Sequence, residues 1–377
     1  MVPPAEPELP KGAALRLERL TKRFGSVVAV REVCLDIPAG CFVTLLGPSG
    51  SGKTTTLNLI AGFVLPDAGE IYVDRQAISG VPPHRRNVGM VFQNYALFPH
   101  MTVFENVAFP LRMRTALAGA ALGRRVEETL DLVQLGGLGA RYPRQLSGGQ
   151  QQRVAMARAL VSDPRLLLMD EPLGALDKKL RERLQLEIKA IHRRVGATIV
   201  YVTHDQSEAL TLSDLVVVMD RGRVVQIGSP RSLYEAPDTG FVADFLGGAN
   251  LMPAQVTGAA GEDVIVALPG GATIPVRPSH QPIGALGPVQ LMIRPEDIEV
   301  SRSHQNDPER VALAGEVVEA AYLGDAIKLV VAVSGGLLTA KVTGRRGAEF
   351  APGDAVTVGW PRSATRILPA TSTEAAD

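Results

Sequence analysis

Apolar and polar positions alternate at the start of the chain. "AALRLERLTKRFG" and "VVAVREVCLDIPAG" read as half-exposed strands joined by a turn at Gly25. The pattern then changes. "CFVTLLG", "RLLLMD" and "ATIVYVTH" are short apolar runs without alternation, as expected for strands covered on both faces in a parallel sheet flanked by helices. "KTTTLNLIAGF" predicts a helix directly after the first of these runs, and "LVVVMDRGRVVQIG" a hairpin turning at Arg221 and Gly222. Between Phe104 and Ala159 helical periodicity replaces the apolar strands, as in "RRVEETLDLVQL". It predicts a helical subdomain, about residues 100–160, inserted in the sheet domain. From Leu251 onward, strands punctuated by Gly and Pro ("VQLMIRPEDIEV", "GEVVEAAYLGDAIKLVVAV", "LLTAKVTG") predict a small β-barrel or sandwich.

A chain of 377 residues exceeds one ordinary core, so two or more domains are expected. The patterning places a sheet domain over 15–245 and an all-β domain over 249–366, with flexible ends at 1–14 and 367–377. No internal repeat is visible. Basic and acidic side chains balance at 39 each, which leaves no electrostatic footprint for nucleic acid or anionic membrane. The opening "MVPPAEPELPKGAAL" lacks the basic and apolar regions of a secretory signal. No window approaches the roughly 18 apolar residues of a membrane span, so a soluble, cytoplasmic chain is expected. The two cysteines, Cys34 and Cys41, lack metal-ligand spacing and read as small buried hydrophobes in a reducing compartment.

"GPSGSGKT", Gly47 to Thr54, follows an apolar strand and opens a helix, the context that a phosphate-binding loop requires. Glycines let backbone N–H groups curl around phosphate oxygens, and the helix start adds its dipole. Lys53 can reach the β- and γ-phosphates of a nucleotide, and the Thr54 hydroxyl can ligate Mg²⁺. In an open α/β sheet other strands end beside that loop. Asp170, which closes "LLLMD", is suited to hold Mg²⁺ through its water shell. Glu171 is suited to polarise an attacking water, and His204 to contact the γ-phosphate or orient that water. A second glycine-bearing helix start, "LSGGQQQRVAMARAL", offers another set of anion-binding donors at Ser147, Gly148 and Gly149.

Taken in order, the phosphate loop, "QNYALFPHMTVFENV", "LSGGQ", "LLLMDEP", "GALD" and "VTH" resemble the ATP-binding-cassette (ABC) ATPases over about residues 15–245. The resemblance implies a RecA-like α/β phosphate-loop domain with an inserted helical subdomain. It implies ATP contacts from Gly47, Pro48, Ser49, Gly50, Ser51, Gly52, Lys53, Thr54 and Thr55. Phe24 would stack on adenine, at a position where the family more often has Tyr. Mg²⁺ would be held by Thr54, Asp170 and Gln93, the last coupling the nucleotide to a membrane partner. Leu146, Ser147, Gly148, Gly149 and Gln150 would address the ATP of a facing, head-to-tail subunit, with Asp177 in the adjoining loop. Hydrolysis, with Glu171 and His204 as catalytic groups, would open that dimer.

"IRPEDI" followed by "AAYLGDAIKLVV" resembles the extra OB/TOBE-like β-domain of importer ATPases. The implied partners are two membrane-spanning permease subunits and an external solute-binding protein, on the cytoplasmic face of the inner membrane, and no nucleic acid. The wording around Gln93 and "EPLGALDKKLRE" is most similar to spermidine/putrescine importer ATPases. Ferric-iron, aminoethylphosphonate and sugar importers share much of it and remain open. Exporter and non-transport ABC proteins fit less well: the first lack the appended β-domain, and the second carry two cassettes or a long coiled-coil insertion.

Overall fold

The structure, a computed structural model, describes residues 11–174, 176–277, 286–303, 307–343 and 349–370. It divides into two compact units, Met1–Arg231 and Ser232–Asp377. The first opens with β1 (Leu15–Phe24), β2 (Val27–Ile37), β3 (Phe42–Leu46), α1 (Lys53–Ala61), β4 (Ala68–Val73), β5 (Gln76–Ala77) and β6 (Val88–Val91). Helices α2 (Val103–Arg114), α3 (Gly119–Leu132) and α4 (Gly148–Leu160) follow, the helical stretch that the periodicity predicts. The unit is completed by β7 (Leu166–Asp170), α5 (Lys178–Val195), β8 (Thr198–Thr203), α6 (Gln206–Leu212), β9 (Leu215–Asp220) and β10 (Arg223–Gly228).

Strands β2-β1-β4-β5 form an antiparallel sheet, and β10-β9-β3-β8-β7-β6 a six-stranded sheet that is parallel except for β10. The unbroken apolar runs are explained by two different cores. Val43 and Leu45, Leu166 and Leu168, and Val200 and Val202 pack with α1 and the antiparallel sheet. Their neighbours Phe42, Leu167, Met169, Ile199 and Tyr201 pack with helices α2 to α5. Successive residues of a strand point to opposite faces, so a strand covered on both must be apolar throughout.

The second unit contains α8 (Gly240–Phe245), after α7 (Pro230–Glu235) at the join, and then, among the described residues, ten strands. These are β11 (Asn250–Ala260), β12 (Asp263–Ala267), β13 (Thr273–Val276), β14 (Gly287–Ile293), β15 (Glu299–Ser301), β16 (Arg310–Tyr322), β17 (Ala326–Val333), β18 (Gly336–Thr343), β19 (Ala355–Pro361) and β20 (Arg366–Pro369). They make two five-stranded sheets, β13-β12-β11-β14-β20 and β15-β19-β16-β17-β18. Val266 and Leu291 from one and Leu329, Leu338 and Trp360 from the other share a single core.

Three expectations change. The division falls at Arg231 and Ser232, so α8, which the 15–245 boundary gave to the sheet domain, groups with the β unit. The ends expected to be flexible lie largely outside the described residues, but their described parts are packed. Ala13 is buried and its N–H donates to the Arg165 carbonyl at 3.1 Å, while Ile367 and Leu368 pair with Leu291 and Gln290 of β14. Cys34 is exposed rather than buried, because it falls on the outward side of β2, where its Sγ accepts the Arg19 N–H at 3.3 Å. Cys41 is half-buried, and burial, with Asp214 nearby, pushes its thiol up to about 11.

Arg294, in the "IRPED" stretch, organises the start of the β unit. Its guanidinium is buried and donates to the carbonyls of Ala243 (2.9 Å), Leu246 (2.7 Å), Gly248 (3.2 Å) and Tyr234 (2.5 Å). It also lies 3.9 Å from the centre of the Tyr234 ring. One cation thus satisfies the Ala243 carbonyl in the last turn of α8 together with the Leu246 and Gly248 carbonyls just after it. Arg294→Ala would orphan these groups, and a loss of about 3 kcal/mol is expected for the β unit. Trp360, the chain's one tryptophan and fully buried in this core, provides the measurement. Its fluorescence transition in urea should move to lower concentration, and an unchanged midpoint would refute this role for Arg294.

Candidate functional site

The loop between β3 and α1 is shaped by glycines that nothing else could replace. A Cβ on Gly47 would collide with the Met219 carbonyl and the Ser51 side chain. Gly52, at the N-cap of α1, has φ +96°, and a Cβ there would collide with the Ala29 carbonyl. No side chain caps this helix, so its first-turn N–H groups are open to an anion. Lys53 is buried, and its ammonium donates to the carbonyls of Gly47 and Pro48, both at 2.8 Å, and to Ser51 Oγ at 3.3 Å. Burial lowers its pKa, against the pull of the Glu171 and Asp170 charges. The cation is therefore held over the loop, close to two carboxylates.

Strand register brings those carboxylates there. Leu46 of β3 pairs with Thr203 of β8, and Asp170 of β7 with Val202, so the three strands end side by side. Thr54 Oγ1 donates to Asp170 Oδ1 at 3.1 Å. Burial pushes the Asp170 carboxyl up, against the Thr54 hydroxyl bond. Glu171 follows with φ +41°, in the left-handed region, its N–H anchored on the Val202 carbonyl at 3.0 Å. Such a conformation costs about 1–3 kcal/mol for a non-glycine residue and aims the side chain back across the strand ends. One carboxylate oxygen of Glu171 accepts from Gln93 Nε2 at 3.2 Å, and the other lies 3.0 Å from His204 Nδ1. With Nδ1–H donating to Glu171, the neutral imidazole has Nε2 as its acceptor.

Thr54 and the single carboxylate of Asp170 fit Mg²⁺, which takes one or two carboxylates plus substrate phosphates rather than a protein cage. Among the described residues no group of three or more His, Cys, Asp or Glu side chains could hold a metal by itself.

A cleft of about 560 Å³ adjoins the loop, lined by Gly50, Gly52, Lys53, Thr54 and Thr55 and also by Val27, Arg31 and Arg221. The last three were not singled out from the sequence. Arg221 read there only as a hairpin turn, yet the turn packs on the loop: the Gly222 N–H donates to the Ser51 carbonyl at 3.2 Å, and its carbonyl accepts from Arg31 N at 2.8 Å. Phe24 does not line this cleft. Its ring is 51% exposed, with the Lys22 ammonium 5.5 Å from its centre.

The signature stretch stands apart from this cluster. Ser147 is the N-cap of α4: its hydroxyl accepts the Gln150 N–H at 3.4 Å, and its own N–H donates to Gln150 Oε1 at 3.0 Å. Ser147 and Gly148 are exposed, whereas Leu146 joins the helical core and Gly149 is buried under Leu180 and Leu184 of α5. The start of α4 is thus only partly open. Asp177 caps α5, accepting the Leu180 N–H at 2.9 Å, and Ala175 of "GALD" lies outside the described residues. An apolar cleft of about 590 Å³ runs beside the Gln93 segment, lined by Phe63, Met90, Phe92, Phe98 and Met113, with Arg158 in its wall. Among the described residues no helix is long and apolar enough to cross a membrane.

Comparison with known proteins agrees with this geometry. Residues 30–174 match the family profile described as ABC transporter, and residues 291–368 that of the TOBE domain. A spermidine/putrescine import ATP-binding protein of Rubrobacter xylanophilus is 49% identical over 94% of this chain and 93% of its own length. One of Acidothermus cellulolyticus is 47% identical, covering 98% of this chain and 97% of its own. Among solved structures, the bacterial ABC transporter cassette MJ0796 in its dimeric form superposes with a TM-score of 0.53 at 36% identity, over 58% of this chain and 99% of that one. The same cassette in a post-hydrolysis state with ADP and phosphate gives a TM-score of 0.52 at 36% identity, with the same coverage. The phosphate loop, the aligned strand ends and near-full-length relatives together place the chain in the family of ABC transporter ATP-binding proteins.

Proposed function

We propose that this chain is the ATP-hydrolysing subunit of an importer for the polyamines spermidine and putrescine, working through separate membrane subunits at the cytoplasmic face. The observation that carries the hydrolytic part is Glu171, fixed between Gln93 and His204 and one residue beyond Asp170. The polyamine part rests on the relatives named above.

ATP binds with its phosphates along the loop N–H groups and the start of α1, and Lys53 exchanges its loop carbonyls for phosphate oxygens. The Thr54 hydroxyl and Asp170 would hold Mg²⁺, which when bound would offset phosphate charge. The Glu171 carboxylate orients the attacking water and accepts its proton as the water oxygen bonds to the γ-phosphorus. The bond from that phosphorus to the β–γ bridging oxygen breaks, giving ADP and phosphate. The His204 imidazole, located by Glu171, turns its Nε2 acceptor to the attacking water and helps to orient it.

Ser147 and Gly148 lie at an exposed helix start away from this loop, which suits them to the γ-phosphate of a second, head-to-tail copy. Two such copies would enclose two nucleotides. The apolar cleft beside Gln93 offers a seat for a short helix of each permease subunit, so that nucleotide state and membrane partner meet at one segment. An external solute-binding protein completes such an importer.

Glu171→Gln should lower ATP turnover by about 100-fold or more while leaving binding of a fluorescent ATP analogue nearly intact. Turnover that survives the change would remove Glu171 from the chemistry. Ser147→Arg should preserve nucleotide binding by the isolated chain and abolish hydrolysis, and unchanged hydrolysis would refute the composite site. The solute is read by uptake of labelled putrescine and spermidine in cells lacking the gene, complemented with wild type or Glu171→Gln. Rescue by the wild type alone is expected. Rescue of ferric-iron, aminoethylphosphonate or sugar uptake instead would keep the mechanism and replace the solute.

A further inference from the structure

Behind the Glu171–His204 pair lies a half-buried polar group that the mechanism above does not use. Arg181 sits one turn into α5, four residues after its cap Asp177. Its Nη2 donates to the Leu176 carbonyl at 3.0 Å, and its Nη1 donates to Asp205 Oδ2 at 2.8 Å. The first bond grips the loop that leaves Glu171. The second grips the residue immediately after His204. Arg181 therefore spans the two segments whose side chains meet at the reacting water.

Asp205 is itself well anchored. It caps α6, accepting the Ser207 N–H at 2.8 Å, the Ser207 hydroxyl at 2.6 Å and the Glu208 N–H at 3.3 Å, and its own N–H donates to Thr203 Oγ1 at 2.9 Å. Burial acts to raise its carboxyl, but these bonds and Arg181 outweigh it and hold the group ionised. Glu208 backs the arrangement: 2% exposed, it accepts the Tyr201 hydroxyl at 2.8 Å and stands 3.7 Å from Arg181 Nε. That Nε is buried without a hydrogen bond among the described residues. The two outer bonds leave from one planar fork, which fixes their relative direction.

We propose that Arg181 is a positioning residue for ATP hydrolysis. It locks the Glu171–Asp177 loop to the turn after His204, so that the carboxylate and the imidazole keep one mutual geometry. A shift of the loop, as when Asp177 meets a facing subunit, is carried to His204 through this guanidinium. Misplacement by about 1 Å is enough to slow chemistry by about 100-fold while substrate binding is spared. This rests on the catalytic reading of Glu171 and His204.

The full chain is assayed for kcat and KM for ATP as wild type, Arg181→Gln, Arg181→Lys, Asp205→Asn, the Arg181→Gln/Asp205→Asn double variant and Glu171→Gln. Arg181→Gln should lower kcat by about 10- to 100-fold with KM changed by less than about 2-fold. Asp205→Asn keeps the helix cap and should show the same split. The double variant should lose no more than the weaker single variant, since both break one link. Arg181→Lys retains the charge and fills the site but cannot bridge both acceptors, so it should fold and show the same defect. Wild-type kcat in Arg181→Lys, losses that multiply in the double variant, or a rise in KM without loss of kcat would each overturn the proposal. Glu171→Gln separates the two levels: if it is dead while Arg181→Gln turns over normally, only the role of Arg181 fails. If Glu171→Gln remains active, the catalytic reading beneath it fails as well.

Discussion

Parallel pairing of β3, β8 and β7, in a register that sets Leu46 beside Thr203 and Asp170 beside Val202, governs the chemistry of this chain. It brings a glycine loop, two carboxylates and an imidazole to one edge, although their residues span positions 47 to 204 of the sequence. The register in turn depends on burial. Leu45, Leu168 and Val202 face one core while Phe42, Leu167 and Tyr201 face another, so a one-residue slip would exchange two differently shaped surfaces. Packing far from the nucleotide thus sets distances at the nucleotide to within the tolerance of a hydrogen bond.

Much of this was legible in the chain. Unalternated apolar runs announce strands covered on both faces, and a strand-loop-helix with Gly47, Gly52 and Lys53 announces its own ligand chemistry. The loss of strand patterning after Phe104 marks the helical insertion. What escaped reading depends on contacts between distant segments. Arg31 and Arg221 lie on two hairpins that are themselves legible, but no local signal shows that they reach the cleft, which they do because the Gly222 backbone docks on both Ser51 and Arg31. Arg181 reads as one charge among many on a surface helix, until folding sets Asp205 in front of it. Cys34 misleads for the opposite reason. The apolar residues around it alternate in and out, and it falls on the outward side.

The β unit follows a different economy. Its two sheets close around Trp360 and its neighbours, while one buried guanidinium ties the chain entering it to β14 through four backbone carbonyls. Carbonyl recognition is indifferent to the side chains that carry the carbonyls. Arg294 of the "IRPEDI" motif thus hydrogen-bonds to backbone carbonyls and asks nothing of the side chains around α8.

The two helix caps associated with a facing subunit differ in how tightly they are held. Asp177 holds the Leu180 N–H of its helix at 2.9 Å, whereas the Ser147 hydroxyl holds the Gln150 N–H at 3.4 Å, near the limit of a hydrogen bond. Turning the serine outward forfeits little, so an incoming phosphate meets a donor whose desolvation is already small. Releasing the aspartate would fray the first turn of α5. Under the proposed head-to-tail pairing, the first cap could let go of its helix on every cycle, while the second would keep α5 intact and move together with it.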